Sequence, residues 1–326
     1  MIFNKESLSV EEQLNLLIER GLIVEDYCSA INILKRIGYY HLSSYMRNFQ
    51  ITENHKFITN TTFSDIINLY NFDKELRHIT FNAIEKIEIA YRAAISNIMC
   101  KLENSHWFYN AQYFISTDEQ KDIIELISRE IKKKKKEEKN TTTSELENNK
   151  RKLKYAETFI AKYYEKYDSP ELPPFWMVLE TFSLGSLNRL YYSLKYQYKR
   201  LITDYLGFTV DASFVALHSN WLQPLCMVRN FCAHHSRLFN RTFKIKTKQH
   251  KKIAEFLNQK NNCYYYISIV INYYLKTISN DDSYENEIIN LFKKYKNIDK
   301  TKLGFPDNWS NYTITRINTK NIKKYI

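Results

Sequence analysis

Glycine and proline are nearly absent from this chain: five of each in 326 residues, about a quarter of their usual combined share of ~12%. Sandwiches, barrels and propellers reverse direction too often to be built with so few chain-breaking residues. Glycines at positions 21, 38, 185, 207 and 304 also cannot supply the G-x-G-x-x-G or G-x-x-x-x-G-K-[ST] phosphate loops. With 44% hydrophobic residues the chain can bury a core, so the expected fold class is all-α, built from long helices.

Local signals place those helices. Ser9 and Glu12 form a capping box ahead of Leu14, Leu17 and Ile18, and Gly21 supplies the stop. Asp26 is a cap for a second helix ending at Gly38, and a third, aromatic one reads from Tyr39 to Phe49. Thr62 caps a long helix from Phe63 to about Lys101, whose stripe of Ile84, Ile87, Tyr91, Ala94, Ile95 and Ile98 keeps the helical period. Residues 129–154, including Lys132 to Lys136, read as a solvated helical hairpin or flexible insertion, the other reading being an RNA-gripping protrusion. Helices are also expected from Phe175 to Leu184, from Ser186, from Asp211 toward His235 with a kink or restart at Pro224, and over Asn262 to Ile278 and Tyr284 to Tyr295. The regions are an N-terminal helical region (1–61), a helical core (62–241) and a basic C-terminal helical region (242–326).

Five cysteines, at 28, 100, 226, 232 and 263, are odd in number and never in C-x-x-C spacing, which suits reduced, buried thiols rather than disulfides or zinc. No metal or cofactor is expected. No window approaches the ~18 apolar residues of a membrane span, and the acidic start lacks a signal pattern, so a cytoplasmic protein with no membrane partner is expected.

The net charge of +12 points to a polyanionic partner. Its distribution is uneven. From Ala212 to Ala254 there is no carboxylate, while Arg229, Arg237, Arg241, Lys244, Lys246, Lys248, Lys251 and Lys252 fall in this window. Lys244, Lys246 and Lys248 alternate with Phe243, Ile245 and Thr247, which in an extended segment aligns the lysines as phosphate contacts; an edge strand guarded by lysines is the plain alternative.

The same window holds Arg229, Asn230 and His234. An imidazole can take the proton of an RNA 2′-hydroxyl or protonate the leaving 5′-oxygen, while a guanidinium holds the charge of the phosphorane. On a regular helix Asn230 and His234 face the same way, and Arg229 lies ~140° from His234, a gap its long stem can close. One such pair offers one imidazole, so two copies meeting across a two-fold axis would fill both acid and base roles. Arg36 and His41 repeat the spacing, but Gly38 interrupts them and their surroundings are not basic, so that pair reads as structural. Glu85, Glu88 and Arg92 share one face of the long helix; Glu88 and Arg92 read as a structural i to i+4 ion pair, with orientation of Arg229 or His234 as the other possible use. Tyr39, Tyr40, Tyr45 and the tyrosines at 264, 265, 266, 273 and 274 read as core residues sooner than as base-stacking platforms.

Six blocks stand in order along the chain: Gln13 to Leu22, Ile37-Gly-Tyr-Tyr-His-Leu-Ser-Ser-Tyr45, Leu69 to Asp73 with Leu76 and Arg77, Ala83 to Ile89 with Arg92, Pro174 to Glu180 with Gly185, and Trp221 to Arg241. Together they resemble abortive-infection proteins of the AbiD/AbiF type, placed in the HEPN superfamily of helical ribonucleases. The resemblance implies a HEPN-type bundle in which Arg229, Asn230 and His234 match the R-[polar]-x3-H motif, acting without metal as a dimer. It further implies a phage-defence toxin and endoribonuclease held in check by a small structured RNA. His41, Ser44 and Phe239 depart from the family pattern, outside the motif. A non-catalytic RNA-binding protein, or a toxin neutralised by a protein partner, are the alternatives.

Overall fold

The computed structural model describes residues 6–51, 54–143, 159–208, 212–248, 262–307 and 309, and among them the chain is all-α. Three short helices come first: α1 (Val10–Glu19), α2 (Tyr27–Ile37) and α3 (Tyr39–Met46). Each of the first two begins at a residue whose side chain accepts a backbone N–H, Ser9 from Glu12 within a complete capping box and Asp26 from Ser29. Gly38, at φ 88°, sits between α2 and α3; its left-handed backbone breaks the Arg36–His41 spacing that a continuous helix would have required.

The spine is α4 (Phe63–Leu102), 40 residues long and started by a capping box of Thr62 and Asp65. It buries Ile84, Ile87, Tyr91, Ala94 and Ile95 and leaves Ile98 half-buried, which fixes the face it turns to the core. Next come α5 (Thr117–Thr143), α6 (Phe159–Lys166), α7 (Phe175–Leu179), α8 (Leu184–Ser193), α9 (Tyr196–Tyr205) and α10 (Ala212–Ala233). The chain continues with α11 (Tyr264–Ser279) and α12 (Ser283–Lys294). Helices α3, α7, α9, α10, α11 and α12 all pack on α4, and one contiguous apolar core runs from Leu14 to Phe305.

Several details differ from the sequence reading. The helix expected to reach Leu184 ends at Leu179, because Ser183 caps a new one by accepting the Ser186 N–H at 3.3 Å. Helix α9 was not foreseen. Residue 129 marks no change of structure: α5 crosses it, burying Ile131 and offering Glu130 to the Ser186 hydroxyl at 3.0 Å. Lys135 places its ammonium 3.2 Å from the Tyr164 ring centre, so the lysine run begins as part of a packed helix. Residues 144–154, the rest of that insertion, lie outside the described residues, as do Asp211, Lys251 and Lys252. Helix α10 passes through Pro224 without restarting. Tyr40 is 86% exposed and Cys28 is exposed too, so neither is a core residue, whereas Tyr45 and the five tyrosines of α11 are buried.

Candidate functional site

The motif residues occupy the last turns of α10. His234 continues the helical pattern by donating its backbone N–H to the Asn230 carbonyl at 2.9 Å, which stacks the two residues on one face. The helix then closes with a left-handed residue, His235 at φ 56°, while the Ser236 N–H reaches back to the Phe231 carbonyl at 2.8 Å. This is a Schellman-type ending with histidine where glycine is usual. It turns the chain sharply and leaves His234 and His235 exposed at the helix end.

Arg229 points the other way, toward the spine. Its guanidinium lies 5.5 Å from the Phe81 ring centre, its Nε is 3.8 Å from a Glu88 carboxylate oxygen, and its Nη1 makes a long, 3.5 Å hydrogen bond to the Asn230 side-chain oxygen. Glu88 is buried, and its other oxygen accepts from Arg92 Nη2 at 3.0 Å. Arg92 also donates to the Phe182 carbonyl at 2.9 Å. The i to i+4 pair forms, and the same carboxylate faces Arg229. Glu85 stands exposed one turn earlier and is not part of this chain of contacts. Arg229 and Asn230 are thus brought together with Glu88 and Arg92, while the His234 ring makes no hydrogen bond among the described residues.

The basic segment after the turn doubles back along α10. Phe243 stacks on Phe231 with ring centres 6.2 Å apart, and further along the Lys248 N–H donates to the Asn220 side-chain oxygen at 2.8 Å. The Lys248 carbonyl accepts from Trp221 Nε1 at 2.8 Å and from the Tyr266 hydroxyl at 2.7 Å. Phe243 and Thr247 are buried, Ile245 is half-buried, and Lys244, Lys246 and Lys248 are exposed, so the alternation is real. It is not an edge strand: the Phe243 N–H goes to the Asn262 carbonyl at 2.8 Å, the Lys248 backbone goes to side chains of α10 and α11, and no sheet exists among the described residues for it to edge.

Asp73 and Arg77 appeared in the sequence only as unassigned residues, and they hold the turn in place. The fully buried Asp73 carboxylate accepts the Phe239 N–H at 2.7 Å, the Leu238 N–H at 3.1 Å and the Tyr45 hydroxyl at 2.8 Å, and pairs with Arg77 one helical turn along. Burial raises the Asp73 carboxyl above the usual aspartate range, and Arg77, Tyr45 and the two amides pull against it. Arg77 also donates to the Tyr45 hydroxyl at 2.7 Å. Asn240 then bonds Asn48 at 2.8 Å, and Arg241 donates to the Arg237 carbonyl at 2.7 Å while its guanidinium lies 4.3 Å from the Phe231 ring centre. An aspartate in an apolar helical stretch, four residues before an arginine, was the available signal.

The described residues contain no group of histidines, cysteines and carboxylates placed to hold a metal. No helix among them is long and apolar enough to cross a membrane. No curated protein and no solved structure matches the chain. The profile of the Abi-like protein family covers residues 32–240, which takes in the Asp73 clamp, the Glu88 contacts and the whole Arg229–His234 turn, and the chain belongs to that family.

Proposed function

We propose that the protein is a metal-independent endoribonuclease of the HEPN type, close to the AbiD/AbiF proteins, and that it serves phage defence by abortive infection. Membership in the Abi-like family supports the defence role. The observation that carries the chemistry is Arg229, held against Glu88 and bonded to Asn230, whose helix face His234 shares, in a window without carboxylates. His234 would move the proton of the 2′-hydroxyl or of the leaving oxygen, Arg229 would hold the phosphorane charge, and Asn230 would fix the imidazole or the scissile phosphate. Among the described residues the His234 ring has no orienting partner, and a second copy across a two-fold axis would supply the second imidazole. Arg237, Arg241 and the exposed lysines 244, 246 and 248 would bind RNA, both substrate and a small structured antitoxin RNA.

The test is His234→Ala. It should lose RNA cleavage and toxicity while keeping the fold and RNA affinity; full activity in that variant would end the assignment. The same exposed, unoriented ring also fits a protein that grips structured RNA without cutting it. Recovery of one discrete RNA with the wild-type protein, together with no cleavage of any RNA by it, would select that reading.

A further inference from the structure

The turn after α10 does more than end a helix, because it gathers arginines from two distant parts of the chain. Asp73 draws in Leu238 and Phe239, and Asn240 bonds Asn48, so residues 237–241 lie against the segment 41–48 of the N-terminal region. Three arginines lie near one another there. Arg237 and Arg241 come from the turn and are joined through the Arg237 carbonyl at 2.7 Å, and Arg47 comes from the short 3-10 turn Arg47–Phe49 that follows α3. Among the described residues none of the three has a carboxylate within ion-pair distance. Asp73, the carboxylate acting on Arg237, is already taken by Arg77, Tyr45 and two backbone amides.

Arg237 is the informative member. Its Nε is shut off from solvent and has no acceptor among the described residues. A buried guanidinium N–H without an acceptor is costly, and an incoming anion would satisfy it. Burial depresses the Arg237 guanidinium; Asp73 opposes this, and the neighbouring Arg241 and Arg47 add to it, as expected for cations crowded without their counter-charge. His41 stands beside this group, its ring 6.2 Å from Tyr45 and 5.8 Å from Tyr70, and burial lowers its pKa, with Arg77 and His235 acting in the same direction. The immediate neighbourhood is therefore an excess of donors converging from α3, its following turn and the end of α10.

We propose that Arg47, Arg237 and Arg241, flanked by His41, form a phosphate-binding notch that takes one backbone phosphate of the RNA, next to but separate from the Arg229–His234 chemistry. This rests on the reading of the protein as one that acts on RNA. It assigns a role to the N-terminal helices, which bring Arg47 and His41 to the site: they complete the grip on the substrate. It also gives the Asp73 clamp a function, since without it Arg237 and Arg241 would not be held against residue 47. Arginine suits the position because its planar fork can bind two phosphate oxygens at once.

The experiment measures binding of a fluorescein-labelled oligouridylate to the full chain across a salt series, with cleavage followed separately. Arg47 is exposed, so Arg47→Gln should fold normally. It is expected to weaken binding about threefold to tenfold and to reduce the slope of log affinity against log salt by about 0.7, the loss of one single-strand phosphate contact. Lys101→Gln is the control: it removes the same charge from an exposed site on α4, 28 residues beyond Asp73 and so about 42 Å from it by helix rise, and should leave the slope unchanged. Equal slopes for wild type and Arg47→Gln, with cleavage intact, overturn the notch and leave the ribonuclease standing. A wild-type chain that binds the oligomer without cutting any RNA, while Arg47→Gln loses slope, overturns the ribonuclease and leaves the notch. Titration with inorganic phosphate and pyrophosphate separates the sources: thermal stabilisation by the free ions that Arg47→Gln abolishes, with the RNA slope unmoved, would assign the notch to a free anion and overturn its RNA role.

Discussion

Exchanging Asp73 and Arg77 singly and together tests whether this pair is the anchor of the site. The Arg77 side chain is 4% exposed and that of Asp73 fully buried. Asp73→Asn keeps an oxygen for the Leu238 and Phe239 amides but removes the charge facing the guanidinium, and stranding a buried charge in this way costs ~3 to 5 kcal/mol. Arg77→Met strands the carboxylate instead and should cost a similar ~3 to 5 kcal/mol. The double variant buries no charge at all, so it should be far more stable than the ~6 to 10 kcal/mol sum of the singles, with a coupling of at least ~2 kcal/mol. Urea midpoints read by circular dichroism, at unchanged slope, give each number. Additivity within ~0.5 kcal/mol would refute the pair as a buried, mutually dependent unit. Oligouridylate binding separates the site from stability: the double variant, folded but lacking the clamp charge on the turn, should still bind RNA more weakly than wild type.

Glu88→Gln removes the carboxylate shared by Arg92 and Arg229 while keeping its shape. Cleavage should fall about tenfold with little change in KM, because Arg229 loses its orientation and not its charge, and single-turnover rates check this. His218 is fully buried, its Nδ1 2.9 Å from the Tyr274 hydroxyl, and burial brings its pKa to about 3. The ring is neutral when folded, whereas the unfolded chain takes up a proton below its ordinary pKa of ~6.5. Its contribution to stability is therefore complete above pH ~6.5, is lost as the pH falls, and levels off near the folded value; by pH 5 the loss is about 2 kcal/mol. Urea midpoints at pH 7 and pH 5 should draw apart less in His218→Gln than in wild type, and equal separations would remove His218 as the cause.

What the sequence made legible was local. Ser9 with Glu12, Asp26 and Thr62 each act within one helical turn, so the starts of α1, α2 and α4 are legible to the residue. The absence of carboxylates from 212 to 254 was equally plain, and so was the alternation of Lys244, Lys246 and Lys248 with residues that turn inward. The partners of that segment were not: its backbone is held by Asn220, Trp221 and Tyr266, contacts that no pattern of period two distinguishes from a sheet. Asp73 was hidden by the same limitation, since the amides it holds lie 165 and 166 residues further on. Helix α9 escaped because Leu194 and Lys195 interrupt the stripe of α8 without a glycine or proline to mark the break. His41 was set aside because Gly38 spoils its spacing with Arg36, yet the structure brings it beside Asp73, Arg77 and His235 through a contact between separate helices.

The spine explains why these distant residues behave as one site. Asp73, Arg77, Phe81, Glu88 and Arg92 all project from α4, and 19 residues of helix fix the outermost two about 28 Å apart. Near one end Asp73 grips the backbone just after the α10 turn; toward the other Phe81 and Glu88 meet Arg229 nine residues before Leu238. The helix end carrying His234 is thus held on both sides by the same rigid rod. A shift of α10 along α4 would have to break the Asp73 amide bonds or the Glu88–Arg229 contact, so the relative positions of Arg229, His234 and Arg237 cannot drift independently. In the proposed ribonuclease this rod would fix the backbone that carries Arg229 and His234 and the side chain of Arg229, which is part of the preorganisation that stabilising a developing charge requires. It also accounts for a feature otherwise odd in so basic a region: the carboxylates that brace the motif, Asp73 and Glu88, are buried and paired with Arg77 and Arg92, where they can position cations with little effect on the exposed positive charge.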